Sequence, residues 1–208
     1  GKLNRSKGYD LFGKAVLKIL KKYKDWSAYV VGDEPRDKLD FKHKRLKNFG
    51  FKEHKEVIKI YKETSIAVVC SRWDEPFGRT SLEAAANGCA VIISNRGGLP
   101  ETITNGRILK KLTVNDIYKN IEDLIKNPSI RKKYQKLSYK NFYLSHQYVS
   151  EQIDKIRNNL SKVTKPFLST SQSNLRILHI TNFNERHNGR LYFLSLIHIS
   201  EPTRQNQI

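Results

Sequence analysis

The sequence predicts an α/β fold: a doubly wound parallel sheet followed by trailing helices. Two observations carry this. Short apolar runs dense in Val and Ile ("SAYVVGDE", "SIAVVC", "AVIIS") recur through roughly the first hundred residues, and they are too continuous to leave one face wet. Between them lie segments with apolar residues at helical spacing, joined by short loops, as βα units require.

Taken in order, Phe12, Ala15, Val16, Ile19, Leu20 and Tyr23 repeat at three and four, which predicts an amphipathic helix over about 9–23. "SAYVVGDE", closed by Gly32, reads as a strand, and "RLKNFGF" as a weaker one. A helix over about 55–63 leads into the strand "SIAVVC". A short helix over about 80–87 follows, stopped by Gly88, and then the strand "AVIIS". Beyond this the pattern turns helical. Thr113 caps a helix with Val114, Ile117, Tyr118, Ile121, Leu124 and Ile125 on one face, and Asn127 and Pro128 open another as N-cap and first helical residue. The last helix, about 147–160, carries Val149, Ile153, Ile156 and Leu160 in one stripe.

The chain of 208 residues is long enough for one well-buried domain with length to spare. It has 39 Lys and Arg against 20 Asp and Glu, a formal charge of +19. Lys, Asn, Ile, Tyr and Phe are abundant together, so an A/T-rich genome is one account of the excess. The others are an anionic substrate, peripheral contact with an anionic membrane surface, or nucleic acid. Nucleic acid calls for a basic stripe interleaved with aromatics or a known module; neither is present, so no nucleic-acid partner is expected. Cys70 and Cys89 sit inside apolar strand patterns without metal spacing, and His43, His54 and His146 are isolated. No metal site and no disulfide framework are expected, and a reducing cytoplasm fits, at or away from the inner face of the membrane. No apolar run reaches the roughly 20 residues needed to span a bilayer.

The chemistry concentrates in "CSRWDEPFGRTSLEAAANGCAVIISNRGGLPE". Glu75 and Glu83 are separated by seven residues, the first just past the carboxyl end of a strand, where open α/β sheets bind ligands. Pro76, Phe77 and Gly78 turn into a helix whose free N–H groups and dipole face the same crevice, a corner suited to a diphosphate. Gly78 allows close approach, and the Thr80 hydroxyl adds a donor. Glu83, in the first turn of that helix, can accept two hydrogen bonds from a vicinal diol such as a ribose. Taken alone, two glutamates at a helix start are solvated carboxylates. The "FKHKRLK" run likewise reads as a solvated face, and Cys70 as core.

The segment resembles the E-x7-E signature of family 4 retaining glycosyltransferases, with "GGLPE" (97–101) similar to the turn that follows it and "GKLNRSKGYD" similar to the family's basic phosphate loop. "YVVGDE", "NFGF" and "SIAVVCSRWDEPFG" fall in the family's order over about residues 1–160. The resemblance implies a Rossmann-like domain, the C-terminal half of a two-domain GT-B fold. It places Glu83 on the nucleotide ribose, Glu75 near the donor sugar as the catalytic candidate, Lys2 and Lys7 on the phosphates, and the backbone around Phe51 in the base pocket; Phe77, Gly78 and Thr80 complete the donor-binding set. Arg5 and Arg79 are alternative phosphate ligands. The implied donor is a UDP- or GDP-sugar and the acceptor a glycan or lipid-linked hydroxyl, with no metal or cofactor. Lys2 stands where Arg is usual, a point charge in place of a planar fork. The bland alternative is a nucleotide-sugar-binding module without catalysis, in which Glu75 would point away from the crevice.

Gly1 opens in a loop, so the amino-terminal, acceptor-binding domain is expected to lie upstream. Residues 161–174 read as a Ser/Thr-rich linker. Residues 175–193 ("LRILHI" and the loop after it) resemble the start of a second GT-B amino-terminal domain. Residues 194–208 resemble translated sequencing-adapter read-through and are expected not to pack.

Overall fold

Gly8 holds φ at +73° and opens the first helix, α1 (Tyr9–Lys22), whose apolar stripe Ala15, Val16, Ile19 and Leu20 is buried. In this computed structural model residues 1–163 are described, Lys38 apart. The elements that follow are β1 (Ala28–Val30), β2 (Leu46–Asn48), α2 (His54–Lys62), β3 (Ile66–Val69), α3 (Arg79–Ala86) and β4 (Ala90–Ile93). After a 3-10 turn (Leu99–Thr102) come β5 (Gly106–Ile108), α4 (Val114–Lys126), α5 (Pro128–Lys140) and α6 (His146–Val163). Two units are distinguished, Gly1–Glu151 and Gln152–Ile208. In the second, the described residues are the continuation of α6, which runs past the expected boundary at 160. The rest of the expected linker, the second beginning and the tail lie outside the described residues.

Among the described residues every strand pairing is parallel. β1 pairs with β2, and β3–β4–β5 form a second ladder in register Val68↔Ile92 and Ile92↔Arg107. The period-two alternation of a strand sorts β4 between two cores. Ala90 and Ile92 join Ala15, Ile19, Ile117, Ile121 and Leu124 of α1 and α4 on one face. Val91 and Ile93 join Ala84, Ala85 and Leu99 on the other. All four β4 residues are buried, so helices cover both faces as the unbroken apolar run required. The three alanines of α3 let that helix lie close; its end is a Schellman closure, with Gly88 N–H donating to Ala85 O at 3.0 Å and Cys89 N–H to Ala84 O at 3.0 Å.

Local readings differ from expectation in three places. β5 was not visible in the sequence, because "GRI" has neither length nor an apolar run; it exists by pairing with buried β4. Asn127 does not cap α5 with its side chain. The amide instead donates back to Asp123 O at 3.0 Å and Asp123 Oδ1 at 2.8 Å, closing α4. Within the run expected to be a solvated face, Arg45 turns inward: its guanidinium donates to the carbonyls of Leu20, Tyr23, Lys24 and Trp26 and so terminates α1. A helix end leaves its last carbonyls unpaired; the guanidinium takes one of them, Leu20 O, together with the carbonyl of the cap residue Tyr23 and two from the loop that follows.

Candidate functional site

The crevice lies at the carboxyl ends of the strands and is built by two loops strapped together. The loop 4–8 is held by residues 70–73: Arg72 N–H and Trp73 N–H donate to Ser6 O at 2.8 and 3.2 Å, and Cys70 Sγ donates to Gly8 O at 3.3 Å. The Arg72 guanidinium grips Asp10 with two bonds of 2.6 and 2.9 Å and also bonds Arg5 O. The pair draws the Asp10 carboxyl below its ordinary range, chiefly through the Arg72 hydrogen bond. Gly8 is required here: a Cβ on it would run into the Cys70 carbonyl. Cys70 is core, its thiol pushed up to about 12 by burial.

That strapping presents Lys7. Its ammonium lies 2.6 Å from Glu75 Oε1, the two side chains 36% and 15% exposed, so the pair sits at the rim of the crevice. Glu75 is itself locked from behind. Its carbonyl accepts from Gly98 N–H at 2.7 Å, and Gly97, at φ +50°, lies so close that a Cβ would strike the Glu75 backbone. "GGLPE" is therefore the buttress that aims Glu75.

Gly78 brings no side-chain cap to α3, and among the described residues the first-turn N–H groups of Arg79, Thr80 and Ser81 have no acceptor. Ser81 Oγ turns away, to Gly78 O at 2.8 Å and Thr102 Oγ1 at 2.6 Å. Thr80 is exposed, its carbonyl accepting from Tyr61 at 3.3 Å. Burial, with the nearby Glu83 charge, pushes the Tyr61 phenol well above its ordinary value, so it stays a neutral donor. Glu83 lies in the second turn of α3, one turn later than expected, and contacts Arg79 Nη2 at 3.3 Å and His54 Nδ1 at 3.7 Å.

The remaining expected residues are more loosely placed. Lys2 is exposed and joined to Asp33 through backbone bridging, and no ion pair forms at its side chain among the described residues. Phe51 is 74% exposed, and the carbonyl of Gly50 beside it accepts from Gly32 N–H, just past β1, at 2.8 Å. Phe77 is 41% exposed at the turn. The structure thus joins Lys7 to Glu75, brings neither Lys2 nor Phe51 into contact with that pair, and adds Asp10, Arg72 and Tyr61, which sequence reasoning passed over, and His54, which it read as isolated and which lies 3.7 Å from Glu83. Only Asp10, in the first turn after Gly8, carried a signal that could have found it.

Residues 1–141 match the family model for glycosyl transferases group 1. The chain belongs to that family. Among curated relatives, it is 31% identical over 116 residues to the lipopolysaccharide core biosynthesis mannosyltransferase LpsB of Rhizobium meliloti, covering 51% of this chain and 33% of that protein. The match to spore coat protein SA of Bacillus subtilis is 29% over 120 residues, 51% of this chain and 32% of that protein. The chain thus spans about a third of the curated relatives' length. Among solved structures, the C-terminal domain of a glycosyl transferase group 1 family protein (LpcC) from Francisella tularensis superposes with TM-score 0.61 at 33% identity, over 67% of this chain and 80% of that one. Anabaena HepE in complex with UDP-glucose shares the fold, with TM-score 0.59 at 20% identity over 78% of this chain and 47% of that one. Family membership and the shared fold agree with the GT-B class expected from the sequence.

Proposed function

We propose that this chain is the donor-binding half of a retaining, family 4 type transferase that moves a sugar from a UDP- or GDP-sugar to a hydroxyl of a glycan or lipid-linked acceptor. The observation that carries the reading is the Lys7–Glu75 contact of 2.6 Å beside the open first turn of α3. A phosphate-binding cation, a sugar-binding carboxylate and free helix N–H groups then share one corner. In this reading the diphosphate takes Lys7 from Glu75 and lies across the α3 N-terminus, with Lys2, Arg5 or Arg79 as further cations and the Thr80 hydroxyl as a donor. Glu83 holds the ribose, Phe51 and its backbone border the base, and Glu75 reaches the sugar. As the bond to the anomeric carbon breaks, Lys7 and the helix terminus stabilise the developing charge on the leaving diphosphate. The departing phosphate takes the acceptor proton, and neither metal nor cofactor enters. A non-catalytic module would leave Glu75 turned from the basic loop; its contact with Lys7 supports the catalytic reading.

The acceptor wall belongs, in this proposal, to an amino-terminal domain, and the setting is the cytoplasm or its membrane face. Calorimetric titration with UDP, GDP and ADP tests the donor half: one of the first two binds, and Lys7→Ala weakens it. Absence of heat with all three overturns the reading. Without the opposing wall, which positions the acceptor and excludes water, the chain alone transfers no sugar.

A further inference from the structure

Two crevices among the described residues differ in charge balance. One, about 260 Å³, is lined by Asn4, Arg5, Ser6, Glu34, Arg36 and Asp37 and balances two cations against two carboxylates, with Glu34 holding Arg36 at 2.8 Å. The other, about 220 Å³, is lined by Ser94, Asn95, Arg96, Leu109, Lys110 and Leu112 and contains no carboxylate. It lies where β4 and β5 end, the edge at which parallel α/β sheets bind ligands.

Its donors are only weakly engaged. The Arg96 guanidinium is 3.9 Å from Asp74, a carboxylate 73% exposed to water, and that is its one ion pair among the described residues. Lys110 forms none there, and Asn95 is exposed with its amide unengaged by any described group. Asp116, in the first turn of α4, is already occupied by Lys111 N–H at 2.9 Å and Asn120. The floor is firm: Ser94 is 1% exposed and donates to Ser71 O at 2.7 Å, and Leu109 N–H donates to Ile93 O at 2.8 Å. The α4 N-terminus begins just after Leu112, adding positive potential. The same loop continues into Gly97 and Gly98, which buttress Glu75, so the crevice adjoins the donor corner.

The geometry points to a second anion subsite here, in which Arg96, Lys110 and Asn95 take a phosphate group carried by the acceptor. Two cations match a phosphate dianion, and guanidinium, ammonium and amide supply a donor for each of its three free oxygens. This rests on the donor reading above, because it assigns the group to the acceptor only if the diphosphate occupies the α3 corner. Lys110 differs from an ordinary surface cation in lining a concave wall that itself contains no carboxylate.

Backbone amide shifts of the 208-residue chain report both sites at once. Saturating UDP is expected to move the signals of residues 4–8 and 79–81. Inorganic phosphate added on top is expected to move those of Asn95, Arg96 and Lys110. Glucose 1-phosphate is expected to bind there at least as tightly, since the open side must admit a sugar. Arg96→Ala with Lys110→Ala weakens phosphate about tenfold or more while UDP binding is unchanged, and Arg96→Lys restores part of it. Phosphate shifts at these residues that vanish under UDP, or a sugar phosphate that binds more weakly than inorganic phosphate, overturn the subsite. Failure of UDP to shift the loop and α3 overturns the donor reading instead.

Discussion

Replacing each glutamate separately tests the division of roles proposed for the donor site. Lys7 is held by Glu75 at 2.6 Å in the free chain, and a diphosphate that recruits Lys7 must compete with that carboxylate. A pair at this degree of exposure is worth about 0.2–1 kcal/mol, so Glu75→Ala frees Lys7 and raises affinity for UDP by at most about fivefold. The same substitution removes the sugar contact, so UDP-sugar loses ground relative to UDP. Glu83 is different. Its contacts with Arg79 at 3.3 Å and His54 at 3.7 Å are long, and exchanging them for a ribose diol costs little. Glu83→Ala therefore loses about 1–3 kcal/mol of affinity for both ligands through the missing diol bonds. Calorimetry with UDP and UDP-sugar on the two variants yields four affinities. Equal weakening of both ligands by both variants refutes the division of roles, and loss of UDP affinity in Glu75→Ala refutes the competition with Lys7.

Three further outcomes follow from the packing. Gly8→Ala places a Cβ against the Cys70 carbonyl at a left-handed φ of +73°, and is expected to cost about 2–4 kcal/mol in urea unfolding and to displace Lys7, lowering nucleotide affinity as well. Arg45→Met strips the guanidinium from the carbonyls at and just past the end of α1 and is expected to cost about 1–3 kcal/mol; unchanged stability would show that water serves those carbonyls equally well. Glu122 accepts from Lys22 at 2.7 Å, Tyr118 at 2.6 Å and Tyr23 at 2.8 Å, joining α1 to α4, and these bonds hold its carboxyl at about 2, below the ordinary 4.5. A lowered folded pKa stabilises above the unfolded value, so Glu122→Gln is less stable at neutral pH, and the gap to the parent narrows as pH falls from about 4.5 toward 2. A gap independent of pH across that window removes the charge from the explanation.

Much of this protein was determined locally. The β4 run "AVIIS" is apolar on both faces, and only burial between two helical layers satisfies it, so the parallel α/β class follows from the residues themselves. The α1 and α4 stripes, the Thr113 cap with its 3.2 Å bond from Asp116 N–H, and the Gly88 stop are short-range physics within reach of sequence reasoning. The Gly78 turn into α3 was likewise expected from its own residues, whereas a shared corner for Lys7 and Glu75 was implied only by the family resemblance. What tertiary structure alone decided is who holds whom across long separations. Lys7 meets Glu75, Asp10 meets Arg72 and Arg45 reaches back to α1 because the sheet order brings those segments together, and no periodicity records a partner 68, 62 or 25 residues away. The three-residue β5 has too little sequence of its own to be a strand and borrows its conformation from β4. Charge in a lysine-rich chain is legible only as an excess; which cations are spent on carboxylates or carbonyls, and which remain for a ligand, is settled by the fold, since pairing acts over a few ångströms and depends on packing rather than on order along the chain.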